Sequence, residues 1–203
     1  MLSDQGDFLW VNALARHTPW LHPVVVAYAS YGIALFAAML LAGVWLSRGD
    51  VRRLARSVVA GCGVLVAVAV NQPIVHAVAE PRPYRALPHV LLLVSASADA
   101  SFPSDHATMA GAVACGLLLT HRRLGLVAGS AALLMAAARV YVGAHYPVDV
   151  VAGLAVGAAV AALLQLVAVG LVERALTRCA PLLRRLPGFL AADLPAALVT
   201  AHA

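Results

Sequence analysis

Two arginines, two histidines, a serine and two aspartates are the side chains in this sequence whose types and spacing could do chemistry. They lie in three short runs: Arg82-Pro83, then Pro103-Ser104-Asp105-His106, then Arg139 with His145 and Asp149. Two guanidinium groups offer the planar, forked donors that a phosphate accepts, and Ser104 at a helix start would add backbone N–H groups and a favourable dipole end for an anion. His145 and Asp149 stand four apart around the start of a helix, where a carboxylate can reach an imidazole and fix its tautomer. An imidazole held that way against a phosphate is a competent nucleophile, and His106 could protonate the departing oxygen. Each piece alone has a plainer account: Arg82-Pro83 a turn, Ser104 an N-cap, a lone histidine a structural residue. Jointly those accounts lose to a phosphoryl-transfer site.

The elements that must position these runs are membrane helices. The chain is 63% hydrophobic and 11% charged, with a mean hydropathy of +0.89, far too apolar for a soluble domain of 203 residues. A spanning helix needs roughly 20 mainly apolar residues, and stretches 21–46, 57–79, 105–120, 124–141 and 148–171 approach that length. The expectation is an all-α polytopic bundle forming one domain. An interfacial helix over 1–20 carries Phe8, Leu9, Trp10, Val11, Leu14 and Trp20, the core runs over 21–171, and a basic tail covers 172–203. A sixth span inside that tail is the alternative. Stretches 105–120 and 124–141 are short for spans, which would leave a water-filled cavity above them.

The net charge of +5 comes from arginine, since the sequence has no lysine. Arg48, Arg52, Arg53 and Arg56 precede the second stretch, Arg122 and Arg123 the fourth, and Arg174, Arg178, Arg184 and Arg185 follow the last. With an odd number of spans all three clusters fall on one face, which the positive-inside rule assigns to the cytoplasm. Loops 80–104 and 142–147, with the reactive residues, then face outward. Nucleic acid is not implied. Cys62, Cys115 and Cys179 show no metal or disulfide spacing and read as packing residues. The Gly153 and Gly157 pair reads as helix packing rather than a dimer face. Arg139 could snorkel from a helix end or point into a polar cavity. Glu80 is expected to be solvated or paired with Arg85.

The three runs resemble the phosphatidic-acid-phosphatase type 2 superfamily, whose signature is Lys-x6-Arg-Pro, Pro-Ser-Gly-His and Ser-Arg-x5-His-x3-Asp. Arg82-Pro83, Pro103-Ser104-x-His106 and Arg139-x5-His145-x3-Asp149 match it in order and spacing over roughly residues 71–153. The resemblance implies that His145 forms a phosphohistidine, Asp149 orients it, His106 is the general acid, and Arg82, Arg139 and Ser104 hold the phosphoryl group, with Pro83 and Asp105 beside them. No metal and no other cofactor is implied, the arginines taking the role of charge stabilisation. Three positions depart from the signature. Val75 stands where the lysine should be, with His76 or Arg85 as candidate substitutes; Ala138 replaces a serine, and Asp105 replaces the glycine.

Asp105 narrows the resemblance. Asn71-Gln72, Pro81-Arg82-Pro83-Tyr84, Ser101-Phe102-Pro103-Ser104-Asp105-His106-Ala107-Thr108, Arg139-Val140-Tyr141 and His145-Tyr146-Pro147-Val148-Asp149 look like the bacitracin-resistance-type undecaprenyl-pyrophosphate phosphatases. The opening Trp10-Val11-Asn12-Ala13-Leu14-Ala15 and His17-Thr18-Pro19-Trp20-Leu21 are similar to their start as well. The implied reaction is hydrolysis of undecaprenyl pyrophosphate to the monophosphate on the outer face of the bacterial cytoplasmic membrane, recycling a cell-wall carrier lipid. The partners implied are that lipid and the membrane. The alternatives are another lipid phosphate as substrate (phosphatidic acid, phosphatidylglycerol phosphate or a prenyl-linked sugar phosphate) and a non-catalytic polyprenyl-phosphate binding or transport protein. Asp105 either tunes His106 and repels highly charged soluble substrates, or merely favours the helix dipole.

Overall fold

The computed structural model describes residues 2–183, and among them all regular structure is helical. Helix α1 covers Leu2–His17, followed by a 3-10 turn over Pro19–Leu21, α2 (His22–Tyr31), α3 (Ile33–Leu46), α4 (Val51–Val78), the short α5 (Pro83–Ala86), α6 (Asp105–Leu118), α7 (Arg122–Tyr141), α8 (Pro147–Val167) and α9 (Val169–Leu183). The chain is a membrane-spanning helical bundle. Val51–Ala86, Arg122–Tyr141 and Pro147–Val167 are each long and apolar enough to cross a membrane, and α2 with α3 makes a fourth candidate bent by 54°.

The expected 21–46 span is thus two helices that meet at Gly32. A Cβ there would fall 2.6 Å from Met135 Cε, so the missing side chain is what lets the bend press against α7. Helix α4 starts at Val51 rather than 57, because Asp50 caps it by accepting from Arg53 N at 3.0 Å. Arg52, Arg53 and Arg56 therefore lie on its first turns and not in a loop. Helix α7 has 20 residues and is not the short span expected. Helix α6 is: its 14 residues reach about 21 Å at 1.5 Å each, well under the roughly 30 Å of hydrocarbon. It survives as a short helix because α4, α7 and α8 surround it, burying Ala107, Thr108, Ala110, Gly111, Ala112, Val113, Gly116 and Leu117.

That central packing depends on glycine. A Cβ on Gly157 would stand 2.0 Å from the Thr108 carbonyl oxygen, and one on Gly153 2.6 Å from that of Ser104. The glycines of α8 therefore face α6 within the same chain, as the packing reading expects. Phe36, Met39, Val113, Leu117 and Met135 form the apolar centre where α3, α6 and α7 meet.

Helix α1 does more than lie on the interface. Leu9, Trp10 and Leu14 are exposed, but Phe8 is fully buried with its ring edge-on to Tyr146, the centroids 5.5 Å apart. Asp4 Oδ1 accepts from Val148 N at 3.1 Å, and Asn12 makes a double hydrogen bond to the backbone of Leu91 (2.9 and 3.0 Å). At the other end of the bundle, Ser47 Oγ lies 2.8 Å from both Ser57 Oγ and His121 Nε2, tying α3, α4 and the α6–α7 turn together among the arginines. Cys62 and Cys179 are exposed, so of the three cysteines only half-buried Cys115 packs. Past the expected end of the core at 171, α9 continues to Leu183 and packs Val169, Val172 and Leu176 against α4. The remainder of the expected tail, with Arg184 and Arg185 and the alternative sixth span, lies outside the described residues.

Candidate active site

Loop 87–104 and the 142–146 turn fold over the end of the bundle opposite those arginines. The loop is pinned by Leu93 N donating to Val142 O (3.0 Å), Ser101 N to Glu80 O (2.7 Å), Tyr84 Oη to Ser97 O (2.9 Å) and Ser97 N back to Tyr84 Oη (2.9 Å). Arg16 also donates to the carbonyl of His89. Gly143 makes the turn possible: its φ of +81° is one that L side chains avoid, and a Cβ would meet Leu91 O at 2.3 Å.

His145, 2% exposed, sits in that turn just before α8. Its Nδ1 lies 2.9 Å from Ser101 O and 3.4 Å from Asp149 Oδ2, and its Nε2 lies 3.1 Å from Arg82 Nη1. A carbonyl and a carboxylate accept, while a guanidinium only donates, so the two sides of the ring agree: Nδ1 carries the hydrogen and Nε2 keeps the lone pair. Asp149 reaches the ring differently from the expected helix-face pairing. It is the third helical residue of α8, and its Oδ2 turns back over the N-terminus to accept from Tyr146 N (2.8 Å) and from Ser101 Oγ (2.5 Å).

Arg82, also buried, is held in place by donating from Nε to Asp99 O at 2.9 Å and from Nη1 to Ala144 O at 3.3 Å. Pro83, the first residue of α5, is buried behind it. Arg139 is buried near the end of α7, so it points into the protein rather than snorkelling out, and Nη1 donates to Ala29 O of α2 at 3.3 Å. Ser104 stands at the position before α6 without making a side-chain cap, and its N–H is bonded to Asp149 O at 3.1 Å. Ser104 Oγ and Arg139 Nε are buried with no hydrogen-bond partner among the described residues. Buried polar atoms left unpaired are rare, and these two donors could be met by the oxygens of a bound phosphoryl group. Half-buried His106 lies within the electrostatic reach of Arg139, His145 and Arg82.

Burial displaces the protonation of His145 most: removing an imidazolium from water lowers the ring's pKa below 6.5, and the positive charges of Arg139 and Arg82 act in the same direction. The hydrogen bond and charge of Asp149 oppose this but do not overcome it. The ring is therefore neutral at pH 7. A neutral imidazole with a fixed Nε2 lone pair, two guanidiniums beside it and a second imidazole nearby can take a phosphoryl group and protonate what leaves.

Residues 56–171 match the model of the PAP2 superfamily. The chain belongs to that superfamily. Undecaprenyl-diphosphatase BcrC of Bacillus subtilis is 35% identical over 150 residues, spanning 73% of this chain and 76% of the relative. Decaprenylphosphoryl-5-phosphoribose phosphatase of Mycobacterium tuberculosis is 38% identical over 120 residues, 59% of this chain and 65% of that one. Among solved structures, the transmembrane PAP2-type phosphatidylglycerolphosphate phosphatase of Bacillus subtilis superposes with a TM-score of 0.64 over 85% of each chain, at 21% identity, and shares the fold. This PAP2 chain is a phosphatase, a hydrolase of a lipid phosphatase family, and a membrane protein.

Spacing alone missed three parts of the site. Ser101 supplies both a carbonyl to the His145 ring and a hydroxyl to Asp149, although it stands three residues before the motif serine. Asn71 and Gln72 of α4 donate to Asp105 Oδ1 at 2.7 and 3.0 Å, two hydrogen bonds that stabilise its carboxylate and fix its direction at the start of α6. The signal for all three was their presence in the runs that resemble the bacitracin-resistance type. Of the substitutes for the missing lysine, Arg85 is exposed and donates to the carbonyls of Ala98 (3.1 Å) and Ser97 (2.7 Å), while His76 is exposed and Val75 buried. Of the two expectations for Glu80, solvated or paired with Arg85, the ion pair is not formed among the described residues, Arg85 donating to Ala98 and Ser97 instead.

Proposed function

We propose that this PAP2 phosphatase hydrolyses undecaprenyl pyrophosphate on the outer face of the bacterial cytoplasmic membrane. The observation that carries the reading is the ring of His145, held by Ser101 and Asp149 on one edge, with an unprotonated Nε2 that accepts from Arg82 on the other. Similarity to the Bacillus subtilis undecaprenyl-diphosphatase supports the substrate. In the reaction, the Nε2 lone pair attacks the terminal phosphorus, and the bond from phosphorus to the bridging oxygen breaks. The departing undecaprenyl monophosphate takes a proton from His106. Arg82, Arg139 and the unpaired Ser104 hydroxyl hold the phosphoryl oxygens, while Asp149 and the Ser101 carbonyl hold the Nδ1 hydrogen as the ring becomes cationic. Water then attacks the phosphohistidine with His106 as base, which releases inorganic phosphate and restores the ring. Guanidiniums supply the charge stabilisation, so no step calls on a metal.

The arginines at the far end of the bundle support the outward orientation through the positive-inside rule. A second reading, a different lipid phosphate substrate, rests on the similarity to the decaprenylphosphoryl-5-phosphoribose phosphatase. Phosphate release by purified protein from undecaprenyl pyrophosphate and from phosphatidic acid, with chelator present and with His145→Ala alongside, separates the two. Release from the pyrophosphate that survives chelation and vanishes in the variant is expected; preference for phosphatidic acid would overturn the substrate and keep the mechanism.

A further inference from the structure

We infer that Asn12 is a positioning residue for His145, at the centre of a stripe on α1 that holds the turn carrying the nucleophile from both sides. Asp4, Phe8, Asn12 and Arg16 follow one another at four-residue spacing, so they share one face of α1. Asn12 is 3% exposed. Asparagine is a poor residue for a helix interior, and burying its amide is unfavourable unless the amide is paired. Here both of its functions are used: Nδ2 donates to Leu91 O at 2.9 Å, and Oδ1 accepts from Leu91 N at 3.0 Å. Leu91 lies in an irregular loop, where its backbone groups have no helical or strand partner, and an amide side chain meets an N–H and a C=O at once.

What Asn12 fixes is the backbone against which the turn folds. A Cβ on Gly143 would fall 2.3 Å from Leu91 O, and Leu93 N donates to Val142 O at 3.0 Å, so residues 91–93 press on the chain just before His145. The same stripe holds the residues just after it. Phe8 packs edge-on against Tyr146, whose N–H donates to Asp149 Oδ2 at 2.8 Å. Asp4 Oδ1 accepts at 3.1 Å from Val148 N, one of the N–H groups that the start of α8 leaves without a helical partner. Arg16 extends the hold by donating to the carbonyl of His89. His145 thus stands between two segments that are each fastened to α1, and the 2.9 Å from its Nδ1 to Ser101 O depends on where that turn lies. The catalytic consequence rests on the reading of His145 as nucleophile proposed above; the hold on its ring does not.

The test is Asn12→Leu, which keeps the bulk and removes both hydrogen bonds, with Trp10→Ala on the opposite, exposed face of α1 as control. Phosphate release in detergent is followed from undecaprenyl pyrophosphate, or from phosphatidic acid if that is the preferred lipid. The expected result for Asn12→Leu is a kcat lower by about tenfold to a hundredfold, the effect of a slightly misplaced reacting group, with KM changed by less than about twofold. In the nitrogen-15 spectrum the His145 ring, assigned by its loss in His145→Ala, should leave the single Nδ1–H tautomer for a mixture, while Trp10→Ala matches wild type in both readouts. Should Asn12→Leu not fold, Asp4→Ala and Asp4→Asn decide. Alanine removes the acceptor for Val148 N and should lower kcat, whereas asparagine keeps an oxygen there and should restore it; equal rates for the two would overturn the inference. A lower Tm with kcat and ring signal unchanged, or a loss that Trp10→Ala reproduces, would overturn it as well. Failure of the nucleophile reading shows separately, as hydrolysis that persists in His145→Ala, and the ring signal of Asn12→Leu then still judges the hold on the turn.

Discussion

At the scale of single residues, the site turns on which nitrogen of His145 carries the hydrogen. Nitrogen-15 NMR of the histidine rings should show His145 as the Nδ1–H tautomer and still neutral below pH 6.5. The sign follows from burial: the folded site disfavours the imidazolium, so a lower pH is needed to protonate it, and the acid limb of kcat/KM belongs below 6.5. Asp149→Asn removes a group that raises this pKa and should move the ring's titration further down, while slowing turnover by about 10²–10⁴-fold through loss of orientation. Arg82→Gln removes a lowering charge and should move it up. Shifts in the same direction for both variants would contradict the electrostatic account. Ser101→Ala strips one hydrogen bond from buried Asp149 and should cost about 1–3 kcal/mol, read as a lower Tm with reduced kcat.

At the scale of elements, α6 is short enough to need its neighbours, and Gly157 is where α8 comes closest to it. Gly157→Ala places a methyl against the Thr108 carbonyl and should destabilise by roughly 1–3 kcal/mol or more, measured as a fall in Tm in detergent, whereas Gly129→Ala, with open space around it, should not. The clamp of Asn71 and Gln72 on Asp105 joins α4 to the first turn of α6, beside His106. Much of this was legible beforehand: the hydrophobic stretches, the shortness of the 105–120 stretch that became α6, and the three runs that converge at one end. What was not legible has physical causes. The break at Gly32 falls inside an unbroken apolar run, and hydrophobicity does not reveal a bend set by contact with Met135. Asp149 pairs with His145 through an N-terminal turn rather than a helical face, a geometry that four-residue spacing cannot distinguish. Ser101 and Asn71 act across separations of 44 and 34 residues respectively, and no local pattern encodes such contacts.

For the whole molecule, the positive-inside arrangement and the location of the site make one claim, that the arginine end faces the cytoplasm and loop 87–104 the exterior. In a cysteine-free background, a cysteine at Ser97 should react with a membrane-impermeant maleimide on intact cells and one at Arg122 should react only after lysis; the reverse pattern would invert the topology. The central claim, however, is that phosphate passes through His145. The most direct test is rapid quenching of the purified enzyme during turnover of undecaprenyl pyrophosphate labelled with phosphorus-32 in its terminal phosphate. The account predicts an acid-labile, alkali-stable label on the wild-type chain and none on His145→Ala; hydrolysis without a labelled chain, or a label that persists in His145→Ala, would contradict it.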